Sequence, residues 1–103
     1  MIKVSVFYPD REGSKFDMDY YCHSHLPMVR EKLGAACKGV AVEQGVGGAT
    51  QGSRPCFIAM GHLYFESVEA FQKAFGPHAD VIMGDIPNYT DIQPTIQFSE
   101  VKL

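Results

Sequence analysis

Residues 56–66, CFIAMGHLYFE, constrain the fold more than any other stretch. Alternation sends Phe57, Ala59, Leu63 and Phe65 to one side and Ile58, Met60, His62 and Tyr64 to the other. Both sides are largely apolar, which is the pattern of a central strand buried on two faces. Any sheet built around it therefore needs cover on both faces. The remainder of the chain has to be read for what it offers as cover.

It offers three more strands and two helices. Residues 2–8, IKVSVFY, alternate with Ile2, Val4, Val6 and Tyr8 on one side. Pro9, Asp10 and Gly13 then turn the chain. Asp17 suits a helix N-cap, with Phe16 and Tyr21 spaced for a hydrophobic staple, and Gly34 is a natural stop after Leu33. At 100° per residue, Met18, Tyr21, Cys22, His25, Met28 and Val29 share one stripe. Residues 37–46, CKGVAVEQGV, read as a strand with Val40, Val42 and Val46 on one face. Its other face, Cys37, Gly39, Ala41 and Gly45, is small enough for a helix or a ligand to come close. Ser67 caps a second helix with Val68, Phe71, Ala74 and Phe75 on its stripe. Gly76-Pro77 breaks it, and the pattern resumes through Ala79, Ile82 and Met83. Residues 95–101, TIQFSEV, make the last strand.

Strand, helix, strand, strand, helix, strand is the ferredoxin-like α+β order: an antiparallel sheet with both helices on one face. The 103 residues, 46% apolar, suit one domain over residues 1–103 with one core. Two helices cover one face only, so the doubly apolar third strand calls for a second copy of the chain. The expectation is a homodimer whose sheets face each other and enclose a cavity.

Several function classes fall away. The formal net charge is −3, there is no basic stripe, and residues 56–66 lack the basic aromatic motif of an RNA-recognition strand, so no nucleic-acid partner is expected. No apolar run approaches the ~20 residues of a membrane helix. MIKVSVFYPD carries no leader-like apolar stretch, and the three cysteines read as reduced thiols, so the expected compartment is the cytoplasm. Gly45 and Gly47 begin a dinucleotide-like pattern, but Thr50 stands where its third glycine belongs and no helix follows. No cofactor is expected. Neither C-x-x-C nor two histidines at i, i+4 occur, so no metal is expected.

What remains is DYYCHSHLPMVR, residues 19–30. His25 lies on the apolar stripe one turn from Tyr21, and Pro27 deprives the carbonyl of His23 of its helical partner. A kink there would aim a partly buried imidazole beside the sheet. Two readings stand: a general acid/base in a pocket, since histidine titrates near pH ~6.5, or a core histidine bonded to a backbone carbonyl. His23 lies about 200° around the helix and His78 follows a proline, so both read as surface residues. Cys22 is within reach of His25 but reads as a small buried thiol. His62, Met60 and Tyr64 could line the same space from the sheet side. In DIPNYTD, residues 85–91, Asn88 and Thr90 read as turn builders, while Tyr89 could reach the pocket. Tyr20, Tyr21 and Tyr64 are further phenols able to donate to a carbonyl or enolate oxygen.

FDMDYYCHSHLPMV, residues 16–29, resembles the first helix of the EthD family, F-D-x-x-Y-Y-x-x-x-H-x-P, at Phe16, Asp17, Tyr20, Tyr21, His25 and Pro27. DIPNYTDIQPTIQFSEV, residues 85–101, is similar to that family's C-terminal stretch. The resemblance implies a dimeric α/β barrel. It implies a pocket rather than one reaction: the family is named for a protein encoded beside an ethyl tert-butyl ether-degrading oxygenase system, fungal relatives are implicated in dehydrating or decarboxylating aromatic polyketides, and neighbouring barrels include cofactor-free isomerases, cyclases and monooxygenases. The expected activity is then binding of a small apolar or aromatic ligand, with proton transfer by His25 assisted by Tyr21 or Tyr64. Tyr20, His62, Tyr64, Tyr89 and Met60 are the expected pocket. The rival reading is a non-catalytic accessory of an oxygenase system.

Overall fold

The computed structural model describes residues 1–103. Strand β1 (Ile2–Pro9) leads to a first helical segment made of α1 (Met18–Tyr20), a π turn (Tyr21–His25) and α2 (Leu26–Leu33). Strands β2 (Gly39–Gln44) and β3 (Phe57–Phe65) follow, then α3 (Val68–Phe75), α4 (Ala79–Gly84) and strand β4 (Thr95–Glu100). The sheet order is β2-β3-β1-β4, with every pairing antiparallel. This is the expected ferredoxin-like arrangement.

The caps are those the sequence signals. The Asp17 carboxylate accepts the Tyr20 N–H at 3.0 Å, and the Ser67 hydroxyl accepts the Ala70 N–H at 3.0 Å. The rings of Phe16 and Tyr21 meet edge to face, 5.1 Å between centroids. Gly34 ends α2 at φ 63°, a conformation that a residue with a Cβ adopts only at a cost. Gly76-Pro77 separates α3 from α4 through a short 3-10 turn.

Buried residues from the helices meet the sheet on the Val4/Phe65 side. One core cluster joins Val4 and Phe65 to Val29, Leu33, Phe71 and Ile82. A second joins Tyr8 and Ala59 to Tyr21, Leu26, Tyr89 and Ile92. Each large apolar side chain fully withdrawn from water here contributes about 1.5–3 kcal/mol before entropy is counted.

Two local features depart from the simple periods. Strict alternation would put Phe57 with Ala59 and Ile58 with Met60. A bulge intervenes: the β1–β3 register shifts between Tyr8 and Pro9, so Tyr8 pairs with Ala59 but Pro9 with Phe57. The extra residue swaps the faces of Phe57 and Ile58. Phe57 packs against Phe7 on the open face, the tilted rings 5.1 Å apart, and Ile58 packs against the second core cluster. The second strand is also shorter than its sequence suggests, ending at Gln44 and leaving Val46 exposed.

The open face carries Ser5, Phe7, Met60, His62 and Tyr64 on neighbouring strands. Ser5 and His62 are buried even so, because they satisfy each other: Ser5 Oγ lies 2.8 Å from His62 Nδ1, and Glu43 Oε1 lies 2.8 Å from His62 Nε2. No helix of the chain is long and apolar enough to cross a membrane.

Candidate functional site

The site is built on an irregularity in the first helical segment. Pro27 cannot donate to the helical ladder, and a kink with a stranded His23 carbonyl is the expectation. The chain widens just before the proline. The Leu26 N–H reaches back five residues to the Tyr21 carbonyl, and Pro27 becomes an early residue of α2, where its missing N–H costs least. The wide turn also advances the phase of the helix. Leu26, which the regular stripe leaves out, is buried together with Tyr21, His25 and Val29.

Within this turn Tyr21 and His25 stack, 5.8 Å between centroids and 14° between planes. Tyr89 closes on the imidazole from the segment before β4, at 4.7 Å. That segment is pinned to the helix start, since the Asp17 N–H donates to the Tyr89 carbonyl at 2.7 Å. Thr90 keeps the turn-building role expected of it: its hydroxyl donates to the Lys15 carbonyl at 2.6 Å and accepts the Ile92 N–H at 3.1 Å.

Asp85 is the residue on which the site turns. One carboxylate oxygen, Oδ2, lies 2.8 Å from His25 Nδ1. The other, Oδ1, accepts the Tyr20 hydroxyl at 2.7 Å and the Asn88 amide N–H at 2.9 Å. Burial pushes the Asp85 carboxyl up, but the hydrogen bonds from Asn88, His25 and Tyr20 together outweigh it and hold the group below its usual value. Asp85 is therefore ionised at neutral pH and can only accept, so His25 Nδ1 carries the proton. For His25 burial is the largest influence. It lowers the imidazole below its usual value despite the opposing hydrogen bond and charge of Asp85. Near pH 7 the ring is neutral, with its lone pair on Nε2.

Nε2 has no hydrogen-bond partner in the protein, and no unpartnered polar side-chain atom is sealed from solvent. It is thus accessible in the cavity that His25 lines. This cavity, of about 300 Å³, lies between the helices and the Val4/Phe65 face of the sheet. Its walls are almost wholly apolar. The polar side chains it offers on that face are His25 and three phenols, Tyr8, Tyr21 and Tyr89. The hydroxyls of Tyr8 and Tyr89 bond each other at 2.7 Å. Burial above all keeps these phenols protonated well past neutral pH, so each is a donor and not a charge.

The cavity brings together His25, Tyr21 and Tyr89 of the expected site. Tyr20 stands behind it, holding Asp85. Met60 and Tyr64 project from the other face of the sheet; His62 lines the cavity between Gly61 and Leu63, but its side chain also turns to that other face, where Ser5 and Glu43 hold it. The β1–β3 register puts those side chains on the face opposite Tyr8 and Val4, the face that the helices cover. Two residues escaped the sequence reading. Asp85 lies 60 positions from His25, and no local spacing signals that pairing. Tyr8 is visible as a core-facing residue, but its hydroxyl partner is 81 positions away. No three His, Cys, Asp or Glu side chains gather as a metal site.

Acid should weaken this fold through His25. A lowered folded pKa means stability is complete above the unfolded value of about 6.5 and is lost as pH falls toward the folded value. Asp85 adds a loss of the same sign below its own ordinary range near 3.8. The urea midpoint of the wild type should fall between pH 7.5 and 5, and that of His25→Gln should fall less. Parallel curves would contradict the assignment.

The EthD domain pattern matches residues 12–93. An EthD-like protein from Ralstonia eutropha JMP134 is 48% identical, with a TM-score of 0.96 over 99% of this chain and 92% of that one. An ethyl tert-butyl ether (EthD) family protein from Bacillus halodurans C-125 shares the fold at 19% identity, with a TM-score of 0.75 and 99% of each chain covered. A protein from Arabidopsis thaliana shares it at 14% identity and a TM-score of 0.63, covering 100% of this chain and 97% of that one. No curated protein matches the chain. With the domain pattern spanning most of its length and a 48% identical relative superimposing throughout, the chain belongs to the EthD family.

Proposed function

We propose that the chain binds a small apolar or aromatic molecule in the helix-covered cavity and acts on it without a cofactor, His25 taking a proton next to a carbonyl or hydroxyl. The observation that carries this reading is the unpartnered Nε2 of a neutral histidine whose Nδ1–H is anchored at 2.8 Å by an ionised carboxylate. In that tautomer the imidazole is a base toward the cavity, and the cation it becomes is stabilised by Asp85. With a carbonyl ligand the electron pair left behind moves onto the carbonyl oxygen, and with a hydroxyl ligand it stays on the oxygen that loses its proton; Tyr8, Tyr21 or Tyr89 can donate to either. Return of the proton to another atom gives isomerisation, and loss of a leaving group gives elimination. A degradative setting, in ether or aromatic catabolism, is part of the same proposal and rests on the membership of the EthD family alone.

The open sheet face supports a homodimer. Phe7, Phe57, Met60 and Tyr64 are only half buried there, without a helix over them. A second copy packed on this face would cover them and place His62 at the interface, apart from the His25 cavity. The non-catalytic alternative, an accessory of an oxygenase system, uses the same cavity without turnover.

Native mass spectrometry of gently purified protein tests both parts. The expected result is a dimer mass, with a small adduct when a ligand is retained. A monomer at micromolar concentration would overturn the dimer. Retained ligand that is never converted would favour the accessory reading.

A further inference from the structure

We propose that the cavity admits only ligands that enter uncharged, with one carbonyl or phenolic oxygen at the tyrosine end and an apolar body running out toward β4, and that it rejects carboxylates and phosphates of the same shape. This rests on the small-molecule reading above and narrows it.

The charge argument comes from what the walls lack. Not one Lys, Arg, Asp or Glu lines the cavity. An anion placed there gives up its hydration without gaining a counter-ion, and buried charges persist only when paired. The nearest formal charge at the polar end is of the wrong sign. The Asp85 carboxylate lies one hydrogen bond behind the imidazole, at 2.8 Å. The imidazole it anchors is neutral near pH 7, so an incoming anion meets no cation there. A neutral ligand avoids both costs. When its proton passes to Nε2 and the electron pair to its oxygen, the anion appears together with the imidazolium, so the cavity gains a balanced pair.

The orientation follows from burial. Tyr8, Tyr21, Tyr89 and His25 are at most 5% exposed and gather the polar atoms at the closed end. Met83, Ile96 and Phe98 are 42–47% exposed and carry none, so they form the mouth. An elongated ligand that puts its oxygen among the phenols leaves its apolar end against Ile96 and Phe98.

The test uses 4-propylphenol and 4-propylbenzoate, close in size but respectively uncharged and anionic at pH 8. Isothermal titration gives their affinities, and the His25 side-chain ¹⁵N signals report whether they occupy the cavity. The phenol should bind at least about 100-fold more tightly and shift the His25 signals. Asp85→Asn removes the unfavourable charge and should narrow that ratio, which is internal to each variant and does not depend on equal stability. A benzoate that binds the wild type as well as the phenol and shifts His25 would overturn the charge selection while leaving the binding reading intact. If neither compound perturbs His25 at millimolar concentration, both fall.

Discussion

Replacing His25 with alanine should slow solvent exchange of an α-proton of a bound ketone by about 100- to 10,000-fold, the range that a positioned general base contributes. Exchange followed by NMR in D₂O needs no knowledge of the physiological product. Asp85→Asn should cost nearly as much, for a reason the hydrogen bonds dictate. Oδ1 of Asp85 accepts from both the Tyr20 hydroxyl and the Asn88 amide. In the asparagine variant those two donors hold the amide oxygen in that place. The NH₂ must then occupy the position now 2.8 Å from His25 Nδ1. An NH₂ there donates, so Nδ1 becomes the acceptor and the ring proton moves to Nε2. The base facing the cavity turns into a donor with little change in shape. A merely structural Asp85 would predict an unchanged ring tautomer, which ¹⁵N NMR distinguishes. In the wild type the rate should be level at neutral pH and fall only in acid, below the ordinary histidine range, because burial lowers the imidazole. Unchanged exchange in His25→Ala would end the catalytic reading and leave the accessory one.

The fold and the site were legible to different degrees, for physical reasons. Strand alternation and helix caps are local properties, so β1, the Asp17 and Ser67 caps and the break at Gly76-Pro77 could be read directly from neighbours in the chain. The bulge at Ile58 could not. It depends on pairing with Pro9, whose lack of an N–H is expressed only across the ladder. The π turn is an intermediate case. Pro27 announces a disturbance, but whether the helix kinks or widens depends on packing Tyr21 and Leu26 at once. His25 was legible because one imidazole on an apolar stripe conflicts with its surroundings, and such conflicts concentrate at functional sites. Its partner was not, because Asp85 sits in a turn whose composition already explains itself. Strand alternation does not show which face of β3 a cavity lies on, so Met60, His62 and Tyr64 join His25 in one expected pocket. The sheet divides that expected pocket: Tyr21 and Tyr89 lie on the helix-covered side, and Met60, Tyr64 and the His62 side chain on the other.

Gly61 joins that division to the site and should tolerate substitution poorly. It lies at the centre of β3, paired with Val6 on one side and Val42 on the other. A Cβ built on it would overlap the Tyr21 hydroxyl, with the ring carbon bearing that hydroxyl 3.2 Å away. The strand needs a glycine there not for backbone freedom but because the phenol rests on the bare backbone. Gly61→Ala should therefore destabilise the protein by about 1–3 kcal/mol, as overpacking of a dense core does. It should also weaken ligand binding by pushing Tyr21, and the imidazole stacked on it, into the cavity. The overlap is chiefly with one oxygen atom, so the double variant Gly61→Ala/Tyr21→Phe should recover part of the lost stability. Urea denaturation of the wild type, both single variants and the double variant forms a complete cycle. A coupling energy near zero would mean that Tyr21 does not rest on Gly61. A clear coupling, with stability regained and proton exchange still impaired, would separate the packing of Tyr21 from the donation by its hydroxyl. Coupling with full recovery of exchange would leave oxygen binding to Tyr8 and Tyr89 alone.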